Sequence, residues 1–127
     1  MARDEINIQT PIMDRTESIG LKTVTAKSVT VANGIVLKKA MACMNNTLFI
    51  LISNTASSDS TVTFKKGESF PNSMLGDLSI SVAKSATTIF QIQDPSRFVD
   101  KNGDINIDFG SEFTGTIYAI GKKASLG

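Results

Sequence analysis

The chain has 127 residues, 41% of them hydrophobic and 20% charged, with a formal net charge of +1. That is enough chain for one domain with a real core, and too little charge to draw in nucleic acid or an anionic membrane. It holds no histidine and a single cysteine, Cys43, which excludes a Ser-His or Cys-His nucleophile, an imidazole metal ligand, a disulfide within the chain and a cysteine-based zinc site.

Residues 1–18, MARDEINIQTPIMDRTES, hold scattered apolar side chains among charges and show no amphipathic period, so the segment reads as an extended N-terminal arm. Acids and amides stand where a secretory signal needs a basic start and an apolar core. The longest apolar run, LFILI at 48–52, is far short of the roughly 20 residues that span a bilayer. The expectation is a chain made in a cytoplasm, with no membrane partner. Ile6 and Ile8 share one face of an extended chain. With Ile12 and Met13 they are candidate partner-binding residues that add a strand to a neighbour's open sheet edge; the alternative is a plain floppy terminus.

From Ile19 the texture changes to short β-type runs separated by turn signals. GLKTVTAKSVTV predicts one or two strands ending at an Asn33-Gly34 turn. GIVLKKAMACM is ambiguous between a strand and a short helix, with Cys43 a buried, inert thiol between two methionines. TLFILISN, 47–54, is apolar on both faces and is expected to be central. STVTFKKG, 60–67, turns Val62 and Phe64 to one side. DLSISVA, 77–83, points Leu78, Ile80 and Val82 inward, and ATTIFQIQ and TGTIYAIG complete the set. About eight short strands at spacings of roughly 8–12 residues predict an all-β fold: one β-sandwich of antiparallel strands over 19–121, with a C-terminal tail at 122–127.

The segment DPSRFVDKNGDINIDF, 94–109, concentrates acids around an Asn-Gly pair and raises two catalytic or metal-binding suspicions. An EF-hand register starting at Asp100 finds Asn102 and Asp104 in place but puts Ile105 where glycine is required and Ser111 where glutamate is required. A two-carboxylate hydrolase needs one desolvated acid. Alternation with Ile105, Ile107 and Phe109 inward sends Asp104, Asn106 and Asp108 into water. The segment therefore reads as a hairpin with a two-residue type I′ turn at Asn102-Gly103. Asp94-Pro95-Ser96 caps a turn that delivers Phe98 to the core, while Arg97 pairs with Asp94 or Asp100 or points outward. No catalytic residue, cofactor or metal site is assigned. The Lys38-Lys39, Lys65-Lys66 and Lys122-Lys123 doublets are dispersed and lack interleaved aromatics, against a nucleic-acid partner.

The succession NNTLFILISNTASSDSTVTFKKGE, GDLSISVAKSATTIFQIQDPSRFVDKNGDINIDF and GTIYAIG, over about residues 45–121, resembles a family of small tailed-phage and prophage virion proteins. The matching positions are Leu48 to Asn54, Val62 to Phe64, Asp77 to Thr88, Pro95 to Phe109 and Ile117 to Ile120. Ala83-Lys84-Ser85 departs from the pattern where a glycine turn is usual. The resemblance implies a jelly-roll-like sandwich without enzymatic activity. It further implies a capsid decoration or cementing protein on the head surface of a tailed bacteriophage or prophage, self-associating as a homotrimer and binding the major capsid protein lattice. The alternative it leaves is a tail or baseplate module for assembly or host attachment.

Overall fold

Runs of Val, Ile, Thr and Phe with period-two alternation form pleated strands because branched side chains pack well on a pleat and lose freedom in a helix. The computed structural model describes residues 2–10, 24–68 and 71–122. Within them the chain forms β1 (Asp4–Gln9), β2 (Lys27–Ser28), β3 (Ile35–Lys38), β4 (Leu48–Asn54), β5 (Ser60–Phe64), β6 (Leu78–Val82), β7 (Ala86–Ile92), β8 (Ile105–Phe109) and β9 (Gly115–Ile120). Short 3₁₀ turns lie at Ala40–Ala42, Asn72–Leu75 and Pro95–Arg97, and no α-helix occurs among the described residues.

The strands run in the order β6-β5-β8-β3-β1-β9-β4-β7, with β2 paired to β9. The result is a mixed, nearly barrel-shaped sheet rather than the fully antiparallel one expected. The difference comes from β1, which lies parallel to both neighbours: Ile6 stands opposite Leu37 of β3, and Ile8 opposite Ala119 of β9. The remaining pairings are antiparallel.

The extended arm read for residues 1–18 is corrected over residues 4–9. Residues 4–9 are a strand inside the sheet, and β1 is the element that joins its two halves. Ile6 and Ile8, each 7% exposed, belong to the core of their own chain and are not available to a partner. Strand alternation explains this: Glu5 and Asn7 face outward while the two isoleucines face in. Ile12 and Met13 lie outside the described residues.

The core collects Leu48, Ile50 and Ile52 of β4, Val62 and Phe64 of β5, and Ile35 and Leu37 of β3, all fully buried. β4 is central, between β7 and β9. Only one of its faces is sealed, however; Phe49 and Leu51 on the other are half-buried. Phe64 stacks on Phe90 and Phe98, with ring centroids 4.9 and 5.9 Å away, spacings typical of favourable aromatic pairs. GIVLKKAMACM resolves into both of its alternatives: a strand to Lys38, then a single 3₁₀ turn. Gly34, at φ +70°, accepts the left-handed position of the Asn33-Gly34 turn. Ser85, at φ 53°, takes that position in the β6–β7 connection, where the resembled pattern has glycine.

Candidate functional site

The acidic segment is built as a hairpin lock. Pro95 opens its 3₁₀ turn and Asp94 Oδ1 accepts from the Ser96 N–H at 3.0 Å, a cap that turns the chain so that Phe98 enters the core. Val99 then bridges to Ile105. The loop between them differs from the expected two-residue turn. Gly103 has φ +81° while Asn102 stays at negative φ, the Asp100 carbonyl accepts from Gly103 N at 2.9 Å, and Asp100 N donates to the Asp104 carbonyl at 2.8 Å. That is a type I turn followed by a left-handed glycine, the three-residue hairpin. Asp100 selects it: Oδ1 accepts from the Asn102 and Asp104 N–H groups, and Oδ2 accepts from Asn106 Nδ2.

Asp104 overturns its expected place in water: it is 3% exposed. Strict alternation starts only at Ile105, and the glycine bulge before it rotates Asp104 inward. There Oδ2 accepts from Lys38 Nζ at 2.8 Å and Oδ1 accepts from the Lys39 N–H at 2.8 Å. Burial pushes the Asp104 carboxyl up. The Lys38 and Lys39 hydrogen bonds outweigh it and hold the acid below its ordinary value. The Asp104 hydrogen bond raises Lys38 in turn. An acid tuned downward and paired with lysine stays ionised at neutral pH and is the reverse of a general acid.

The other carboxylates go to separate partners. Asp108 meets Arg3, whose Nη1 also donates to the Ile107 carbonyl at 3.0 Å. Glu112 Oε2 accepts from Ser58 Oγ at 3.2 Å. Asp77 accepts from Lys66 N and Lys65 Nζ, which lower its pKa. Among the described residues no three acidic, cysteine or histidine side chains group to hold a metal ion.

The least self-contained region is the seam where the sheet fails to close. β6 and β7 follow one another in the chain, yet among the described residues each ends the sheet and they exchange no ladder bonds. Along this seam Leu78, Ile80 and Phe90 are only half-buried, although alternation aims them inward. At its wide end lies a groove of about 420 Å³, lined by Leu75, Leu78, Phe90, Asp94, Arg97 and Phe98. At or next to it stand Met74 (73% exposed) and Leu75 (66%), which with Ile89 (64%), on the face of β7 opposite to Phe90, are the most exposed large apolar side chains described. Arg97 takes none of its three sequence-based alternatives. Its guanidinium sits over the Phe98 ring, 4.9 Å from the centroid, and Nη2 reaches the Leu75 and Gly76 carbonyls only at 3.5 Å. Its Nε is buried without an acceptor.

A second depression, of about 320 Å³, opens where β1 diverges from β9, beside Glu5, Lys27 and Tyr118. Comparison with protein-family models, with curated proteins and with solved structures finds no match for this chain. Sequence reasoning found the capped Asp94 turn and the inward Phe98. It missed the seam, because adjacency in the chain suggests that β6 and β7 pair.

Proposed function

We propose that this protein is a non-enzymatic structural component of a tailed-phage or prophage virion, a decoration or cementing protein that binds the outer surface of the assembled head. The carrying observation is the combination of a self-locked acidic hairpin with an open seam whose two edge strands carry no charge: the hairpin's carboxylates are committed to the chain's own partners, and the adhesive surface is backbone edge and apolar side chain with Arg97 at one end. The family-like segments from 45 to 121 cover β4 through β9, so the resemblance spans both sheet edges and the hairpin. In this reading the sheet is a jelly-roll-like sandwich whose halves are joined by β1. Weak contacts repeated around a lattice gain effective concentration once one is made, so small interfaces suffice to clip neighbouring shell subunits together. A homotrimer on the major capsid protein lattice is the proposed form, which symmetry of closed assemblies permits.

The test is add-back. Heads from a strain lacking this gene are mixed with purified protein and sedimented. Saturable co-sedimentation at a fixed ratio to the shell subunit supports the proposal. Binding to tails and not to heads replaces it with a tail or baseplate module, and binding to neither refutes a virion role.

A further inference from the structure

We propose that the seam between β6 and β7 is a docking site for an extended strand of a partner polypeptide, one with alternating apolar residues and a single carboxylate. The strand pairs with the free edge of β7, lays apolar side chains over Phe90 and Leu78, and delivers its carboxylate to Arg97. The proposal stands on the seam alone and holds whichever particle or protein supplies the strand.

Three observations carry it. The first is the edge. Among the described residues β7 ends the sheet, and ATTIFQI contains no charge, proline or glycine. Exposed edges of this length are ordinarily blunted by lysine, proline or a bulge, because unpaired N–H and C=O groups recruit another strand. β6, LSISV, is equally unguarded. An incoming strand seven residues long would run about 24 Å alongside β7 at ~3.4 Å per residue.

The second is the floor of the groove. Leu78 and Phe90 are aimed into the barrel but left half-buried, and the lip of Met74 and Leu75 stays in solvent. A strand alternating apolar and polar residues places one face on this floor and the other in water.

The third is charge. Arg97 lines the groove and has no carboxylate partner among the described residues. Its two carbonyl contacts are long, and its Nε has no acceptor. Arginine forks match carboxylates in pairs of charge-assisted bonds, so an anion at this end completes an arrangement that the described residues leave open. Asp94, which caps the turn that carries Arg97 and also lines the groove, spends Oδ1 on the Ser96 N–H and limits the site to one carboxylate rather than an acidic run. A second copy of this chain fits less well. Edge-to-edge pairing of two β7 strands would leave both grooves empty and both Arg97 side chains without an anion.

The probe is a synthetic peptide, acetyl-Val-Thr-Ile-Thr-Val-Thr-Glu-amide, whose glutamate shares the apolar face, titrated into the ¹⁵N-labelled full chain. Saturable shifts should map to residues 78–82, 86–92 and the Arg97 side-chain N–H. Replacing the peptide's glutamate by glutamine should weaken binding about tenfold, the scale of losing a charge-assisted pair, and methylating alternate peptide nitrogens should abolish it. In Arg97→Gln the glutamate and glutamine peptides should bind alike. Ile89→Lys, a charge at an exposed edge position that leaves Arg97 intact, should reduce binding of both. No saturation at millimolar peptide, shifts away from the seam, or equal affinity of the three peptides for the unaltered chain would overturn the proposal.

Discussion

Ile8→Ala should cost about 2.5–4 kcal/mol of folding stability. The side chain is 7% exposed and loses three carbons, at ~0.8 kcal/mol per buried methylene, plus a cavity contribution. The cavity should persist because its walls cannot close. Ile8 stands opposite Ala119 of β9, and its Cγ2 lies 3.0 Å from where a Cβ on Gly121 would sit, a space shared with Cys43 Sγ and Leu48 Cδ1. Collapse would have to drag β1 out of register with both β3 and β9. For a domain with a total stability of roughly 5–15 kcal/mol, this is a large fraction, and in urea, with a slope near ~2 kcal/mol/M, the midpoint should fall by about 1.2–2 M. Ile8→Val, at about 0.5–1.5 kcal/mol, sets the scale. An Ile8→Ala loss below about 0.5 kcal/mol, the level of a surface substitution, would mean that β1 is a dispensable arm and that the strand order β3-β1-β9 is wrong.

Asp104→Asn should cost about 1–3 kcal/mol at neutral pH, since Lys38 and the Lys39 N–H lose an ionised acceptor; Lys38, 34% exposed, reaches water and keeps the cost from rising further. The folded acid lies below its ordinary 3.8, so its contribution is complete above that value and disappears as pH falls through and below it. Acid unfolding followed by circular dichroism should accordingly show a flatter limb below about pH 4 in Asp104→Asn than in the unaltered chain. Gly67→Ala should lower stability by about 2–4 kcal/mol in thermal melts: its Cβ would strike the Val99 carbonyl and lie 2.7 Å from Phe98 C and Val99 N, all backbone atoms that cannot step aside. Lys65→Ala should leave the melting midpoint nearly unchanged, because the Lys65–Asp77 pair is exposed on both sides; a large drop would show that this pair holds the groove's rim.

What the sequence disclosed and what it hid follow one physical line. Alternation placed Val62, Phe64, Ile105, Ile107 and Phe109 on the buried face, and all are there, because period two is imposed by the pleat itself. The Asp94-Pro95 cap was legible for the same local reason. Non-local pairing was not. DEINIQ has a clean apolar face, Ile6 and Ile8, but only two such residues, and nothing local records that β3 and β9 leave a parallel slot between them. Asp104 was misplaced because one glycine in a left-handed conformation shifts the phase of every residue before the strand begins. The seam escaped notice because the failure of β6 and β7 to pair is a property of the whole barrel. Their sequences would suit a hairpin equally well.

The measurement that tests the proposed role most directly is the stoichiometry of this chain in gradient-purified virions, determined by quantitative mass spectrometry on separated heads and tails. A head decoration protein predicts that the chain stays with the heads, in a fixed ratio to the shell subunit. Recovery only with tails, or absence from purified particles of a strain that expresses the chain, would contradict it.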